Sequence, residues 1–401
     1  MQLSGESSAF PTRSPLVLGL RMLVFSAVSG AIGSTAVYTL LWVLDHVTST
    51  RTHNDWLLFL LPVAGFAIGR AYQGSEPSVQ LGSATVAQSR RDGTKGIPLT
   101  LAWYSYASTW VTHLFGGSGG RIASGMQISA ALTDAAARRL RCTLRERQML
   151  LASATSAVFA TVLGTPLAGM VFAVEEPGRR GPGYRALVPS AIGAFVAQAV
   201  VGGFGYRHAT HPAIRLSASV FNAGKLIIAA VVFGLAAALY VRLRDAIAWL
   251  CVRMDRPALA TATGGIWIVL FALIFGRQYL GLSLPLANAA LLGGSVASGA
   301  WLLKIIVTAI TAGSGFRAGE VTPMLVIGAT LGAAFAGPLN LDSEVLAAMG
   351  FVAVFAAASK APFACAILGV ELFGTGAAGA LLLVCIIARC VSGSKGIYPR
   401  A

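Results

Sequence analysis

The chain has 401 residues, of which 56% are hydrophobic and only 11% charged, with a formal charge of +15. A soluble domain carries about 25% charged residues, so the composition excludes a soluble globular protein and indicates a polytopic membrane protein. The positive charge does not indicate nucleic acid. The cations fall in short loops between apolar runs, for example Arg90, Arg91 and Lys95, then Arg138, Arg139, Arg141, Arg145 and Arg147, then Arg179, Arg180 and Arg185. That is the positive-inside pattern.

Taken from the start, residues 1–15 form a polar segment without the short apolar core and cleavage site of a signal peptide. The apolar run from Leu16 is therefore expected to be a first membrane helix. Apolar runs then recur along the chain, Leu226–Val241 among them. A full span needs about 20 apolar residues. Several runs are shorter or interrupted by Gly and Pro, which predicts tilted, re-entrant or broken helices. Between them lies GGSGGRIASGMQI (Gly116–Ile128), a glycine-rich turn with one arginine that leads into a helix. The basic stretch RRLRCTLRER is expected as a cytoplasmic loop. His208 and His211 (HATH) have no acidic or thiol neighbours, and a solvated loop is expected there. The five cysteines show no metal-binding spacing and are expected as small apolar packers. No nucleophile elbow or phosphate loop is present, so nothing points to an enzyme.

Two segments repeat. TPLAGMVFAVE (Thr165–Glu175) matches APFACAILGVE (Ala361–Glu371), placing Pro166 on Pro362 and Glu175 on Glu371 at a separation of 196. GRIASGMQISAAL (Gly120–Leu132) matches GEVTPMLVIGATL (Gly319–Leu331), placing Ile122 on Val321 at 199. The chain is thus expected to hold one transmembrane domain, 1–401, made of two related halves, 16–207 and 222–401. The loop between them carries His208, His211 and Pro212. Each repeated turn feeds a helix start, which exposes unpaired N–H groups and partial positive charge. Two symmetry-related starts aimed at one spot would bind a small anion. Glycines that merely permit close helix packing explain the same residues.

These segments resemble the CLC family of chloride channels and anion/proton antiporters across nearly the whole chain. The resemblance is carried by GSGFRAGEVTPMLVIGATLG, FATVLGTPLAGMVFAVEE and SGSKGIYPRA, in the family's order. GEVTP, THLFGGS and SGSKGIY are most similar to the fluoride-exporting bacterial branch. The resemblance implies an all-α inverted-repeat membrane protein and a homodimer with one pore per subunit. It also implies a bacterial inner-membrane location and no cofactor beyond a bound halide. The dimer surface would use residues around 166–200 and 362–390. The implied anion pathway comprises Ser83, Gly120, Arg121, Ile122, Ala123, Glu320, Val321, Thr322 and Tyr398. Ser75 competes with Ser83 for the inner-site serine, and the spacing to the gate favours Ser83. Arg121 is expected as a structural anchor between loops. Glu176 matches the internal proton stop of proton-coupled relatives. A pair of carboxylates, Glu175 and Glu176, facing water or Arg179 and Arg180 is the favoured alternative.

The departure from the family pattern is Ile122, where a gating glutamate is expected. Isoleucine carries no proton and no charge, so it neither competes electrostatically with an anion nor carries H⁺. It is also stiff at χ1, and an apolar constriction closes a path by excluding water. The expectation is passive, uncoupled anion flow, with chloride as first choice. Fluoride selectivity, exchange through another carboxylate such as Glu320, and a non-conducting sensor or scaffold are the alternatives.

Overall fold

The computed structural model describes residues 15–93, 96–176, 181–215 and 220–398. The first half runs α1 Pro15–His53, α2 Leu61–Gln73, α3 Pro77–Leu81, α4 Ser83–Asp92, α5 Thr100–Leu114, α6 Ile122–Arg139, α7 Leu144–Leu163, α8 Pro166–Glu175 and α9 Leu187–Gly203. The second half supplies α10 Val220–Val252, α11 Pro257–Phe275, α12 Leu284–Leu291, α13 Ala300–Gly313, α14 Val321–Leu339, α15 Ser343–Ser359, α16 Pro362–Phe373 and α17 Ala378–Val391. Among the described residues there is no strand, only an isolated antiparallel bridge between Gly120 and Gly319. Six helical segments are long and apolar enough to cross a bilayer, while α8, α13, α15 and α16 are shorter apolar helices. Membrane insertion and an all-α architecture therefore follow from composition and geometry together.

The two halves use the same local devices at matched positions. α7 ends at Gly164 with φ +72°, and α15 ends at Lys360 with φ +68°. Each left-handed cap turns the chain into a proline-started helix, α8 at Pro166 and α16 at Pro362. Proline suits a first turn because its missing N–H has no partner there in any case.

The next two N–H groups of each of these helices are bound by the other half. Glu371 of α16 accepts from the N–H of Leu167 at 2.9 Å and of Ala168 at 2.7 Å. Glu175 of α8 accepts from the N–H of Phe363 at 3.0 Å and of Ala364 at 2.7 Å. Each carboxylate caps the positive end of its counterpart's helix, a reciprocal clasp between halves. This corrects the expectation that Glu175 faces water. The repeat match of Glu175 with Glu371 was a structural signature, because a carboxylate satisfies two orphan N–H groups at once.

Small residues set the close packing. An added Cβ on Gly328 of α14 would overlap the carbonyl of Gly350 of α15, and one on Gly350 would overlap that of Gly328. Without a water-driven hydrophobic term between lipid-embedded helices, such close approach supplies the contact energy.

The basic stretch after α6 is also more structured than a solvated loop. Thr143 and Glu146 form a capping box that starts α7. Arg147, only 7% exposed, donates to Asp134 at 2.6 and 2.9 Å, and Asp134 is fully buried. The histidine loop is largely exposed, as expected, but its two imidazoles are half-buried. His208 contacts the Thr161 carbonyl at 3.0 Å, and His211 lies near the rings of Phe351 and Phe373.

Candidate anion pathway

The two glycine-rich turns meet. The N–H of Gly319 donates to the carbonyl of Gly120 at 2.9 Å, and the N–H of Gly120 donates back to the carbonyl of Gly319. A side chain would be crowded at either glycine. A Cβ on Gly120 would lie 3.0 Å from the Thr322 nitrogen, and one on Gly319 would lie 3.1 Å from the Ala123 nitrogen. Positive φ is needed elsewhere in the turns, at Gly116 (+96°) and Gly315 (+103°). One glycine in each turn thus permits the bend and another the close approach.

Two residues beyond the bridge, α6 starts at Ile122 and α14 at Val321, both fully buried. No side chain caps either helix, so their first N–H groups are uncapped. The helices have 18 and 19 residues, about 27 Å long. Their starts converge as the repeat predicted.

Beside this crossing lies a cavity of about 200 Å³. Its wall contains Ser83, Ala123, Glu320, Val321 and Tyr398, five of the residues named from sequence. Gly120, Arg121, Ile122 and Thr322 do not line it. Ile122 points instead into an apolar cluster that includes Val37, Leu41, Val158 and Phe159. Ser75 is elsewhere, its hydroxyl donating to the Tyr72 carbonyl at 2.7 Å. Ser83 is the first residue of α4, after Gly82 with φ +52°.

Gln127 links the wall together. Its Nε2 donates to Ser83 Oγ at 2.8 Å, and Ser105 Oγ stands 2.7 Å from its Oε1. Gln127 lies four residues after Ala123, on the same face of α6, and both line the cavity. That spacing was the available signal, and it was not used. The Tyr398 hydroxyl is buried without a hydrogen-bond partner, while its ring packs edge-on near Phe172 at 6.0 Å.

The charged residues fall differently from expectation. Glu320 accepts from the Tyr240 hydroxyl at 2.6 Å and from Arg244 at 3.0 Å, both on α10. Glu176 is 6% exposed and paired with the buried Arg90 at 2.8 Å. This corrects the reading in which Glu176 faces water. Arg179 and Arg180 lie outside the described residues. Arg90 and Glu176 bound a narrow extension of about 20 Å³ that shares Ser83, Ala123, Gln127 and Tyr398 with the main cavity. The Arg121 side chain makes no hydrogen bond or ion pair among the described residues, and its Nε is buried without a partner. The expected tether between loops is therefore supplied by the Gly120–Gly319 bridge instead.

A family model described as voltage gated chloride channel matches residues 64–393. A chloride/fluoride channel protein of Pseudomonas syringae pv. tomato is 34% identical over 99% of this chain and 90% of its own length. Among solved structures, a CLC-type fluoride/proton antiporter superposes with a TM-score of 0.89 at 28% identity, covering 96% of this chain and 97% of its own. A slow cyanobacterial Cl⁻/H⁺ antiporter superposes at 0.77 with 19% identity, covering 94% and 96%, which is a likeness of fold. Inverted-repeat fold, converging helix starts and full-length sequence match agree, and the chain belongs to the CLC family of voltage-gated chloride channels.

Proposed function

We propose that this CLC protein is a passive halide channel uncoupled from protons. The observation that carries the reading is Ile122, fully buried at the first residue of α6. The place where a titrating carboxylate would compete for the uncapped N–H groups is filled by hydrocarbon. The carboxylates nearby are occupied: Glu320 by Tyr240 and Arg244, Glu176 by Arg90. An ion-paired carboxylate holds its charge and makes a poor proton carrier.

The cavity wall suits a small anion. Ser83 Oγ accepts from Gln127, which leaves its own proton free to donate inward. The unpartnered Tyr398 hydroxyl supplies a second donor, and the helix starts supply backbone N–H groups. Beyond the cavity, the packed Ile122 side chain closes the path sterically, and opening requires it to move or the constriction to wet.

Chloride is the first choice, because the coupling residue of a fluoride exporter is absent. Fluoride is the second reading, supported by the donor-rich wall and by relatives whose names include fluoride. A homodimer in the bacterial inner membrane completes the proposal. Leu167, Val188, Phe195 and Phe363 are all exposed apolar residues within 166–200 and 362–390, where a second copy would cover them.

The test is halide efflux from proteoliposomes with internal pH recorded together. Chloride or fluoride efflux without proton movement supports the channel. Stoichiometric H⁺ uptake indicates an exchanger, and absence of flux for both ions indicates a sensor or scaffold.

A further inference from the structure

Two charged side chains line the 200 Å³ cavity, Glu320 and Arg317. Glu320 belongs to a balanced group. Arg244 binds both Glu320 at 3.0 Å and Asp245 at 2.7 Å, and Lys395 lies 3.9 Å from Asp245. Two carboxylates face two cations, so the group contributes no net charge to the cavity.

Arg317 has no such compensation. Its guanidinium lies over the Tyr72 ring, 5.0 Å from the centroid, and it makes no ion pair among the described residues. A cation stacked on a ring face keeps its edge N–H groups free to bind an anion. Arg317 also lines an adjoining cavity of about 360 Å³, in which it is the one charged lining residue among those described. The two cavities share Tyr72, Ala312, Phe316 and Arg317.

The placement is built rather than incidental. Gly315, at φ +103°, turns the chain before Arg317. The Ser108 hydroxyl lies 3.1 Å from the Arg317 carbonyl as its donor, and the Tyr72 hydroxyl is 3.2 Å from the same Ser108 oxygen. One serine thus holds both the loop that carries the cation and the ring beneath it.

We propose that Arg317 is an anion-capture site, where a halide arriving through the 360 Å³ vestibule is held before it enters the cavity beside Ser83 and Tyr398. The inference rests on the halide-channel reading. An uncompensated charge at a narrow entrance focuses the field and raises the local concentration of permeant anion. It acts at a different place from the helix starts, and it owes nothing to Arg121.

The experiment measures chloride flux against chloride concentration for wild type, Arg317→Gln, Arg317→Lys and Arg317→Glu in proteoliposomes. Arg317→Gln is expected to raise the half-saturating chloride concentration about three- to tenfold at low ionic strength. Arg317→Lys is expected to stay near wild type, and Arg317→Glu to shift further than Gln. The Gln effect should collapse when an impermeant salt brings the ionic strength to about 1 M, where the screening length is about 3 Å. An unchanged half-saturation in Arg317→Gln, no rescue by Lys, or an effect indifferent to salt overturns the site. Titration of the purified protein with chloride separates the two proposals. Absence of flux in wild type ends the channel reading, whereas chloride binding equal in wild type and Arg317→Gln ends the capture site.

Discussion

Restoring a carboxylate at the helix start tests the central reasoning directly. Ile122→Glu removes a fully buried apolar side chain, worth about 2–3 kcal/mol of transfer free energy. It introduces a group whose burial as an ion costs several kcal/mol. Against that stand the uncapped first N–H groups of α6, each charge-assisted bond contributing about 1.5–3 kcal/mol. Two such bonds offset most of the cost, so ionised and protonated forms lie within a few kcal/mol of each other. Ionised, the new side chain occupies the N–H groups an anion would use. Protonated, it releases them. Flux through Ile122→Glu should therefore be low at high pH and rise as the pH falls, while Ile122→Gln, equal in size and unable to titrate, should show flat flux. Halide efflux over pH 4.5–8.5 (a range of about four units) reads the difference. Equal, pH-independent flux in the two variants would refute the claim that a side chain at this helix start competes with the permeating ion for the first N–H groups of α6.

Two further outcomes follow from the geometry. Glu175→Ala and Glu371→Ala each leave two helix-start N–H groups without their carboxylate, so each should lower stability by about 2–4 kcal/mol. The double variant should depart from additivity, because the two clasps join the same helix pair; additive melting shifts in detergent would show that the clasps act separately. Ser83→Ala should alter chloride-over-fluoride selectivity in a flux assay while Ser75→Ala leaves it unchanged, since Ser83 alone of the two lines the cavity. A selectivity change confined to Ser75→Ala would reverse that assignment.

What could be read from the sequence was whatever the repeat wrote twice. Gly120 and Gly319, Pro166 and Pro362, and Glu175 and Glu371 stand at matched positions because one packing problem is solved once in each half. The repeat therefore placed the crossing of α6 and α14 and gave the fold class. Tyr398 and Ser83 were reachable through family resemblance, and the choice between Ser83 and Ser75 through spacing. Residues whose partners are remote and unmatched were not legible. Glu176 meets Arg90 across 86 positions, and Glu320 meets Arg244 across 76. No local pattern announces such pairs, since ion pairing across helices depends on the three-dimensional rotation of each helix. Arg317 is a related case. Arg121 adjoins the gate position in sequence, yet the chain folds so that Arg317 reaches the cavity and Arg121 does not.

The distribution of charge bears on how a pore can lose proton coupling and keep an anion path. Coupling needs a group that alternates between occupying the anion's donors and leaving them. Among the described residues, the carboxylates lining the cavity and its narrow extension are tied to cations: Glu320 to Arg244, and Glu176 to Arg90. Were Ile122 the only change, a free carboxylate nearby could assume the titrating role, and the protein would remain an exchanger with a displaced gate. The channel reading takes that route as closed, since each carboxylate already faces a buried or half-buried guanidinium. The anion path has no such requirement. The donors proposed for it are backbone N–H groups, two hydroxyls and Arg317, groups whose ordinary pKa values lie above the working range. On the reading proposed above, a pore built this way conducts down the electrochemical gradient and is closed by packing at Ile122 rather than by protonation.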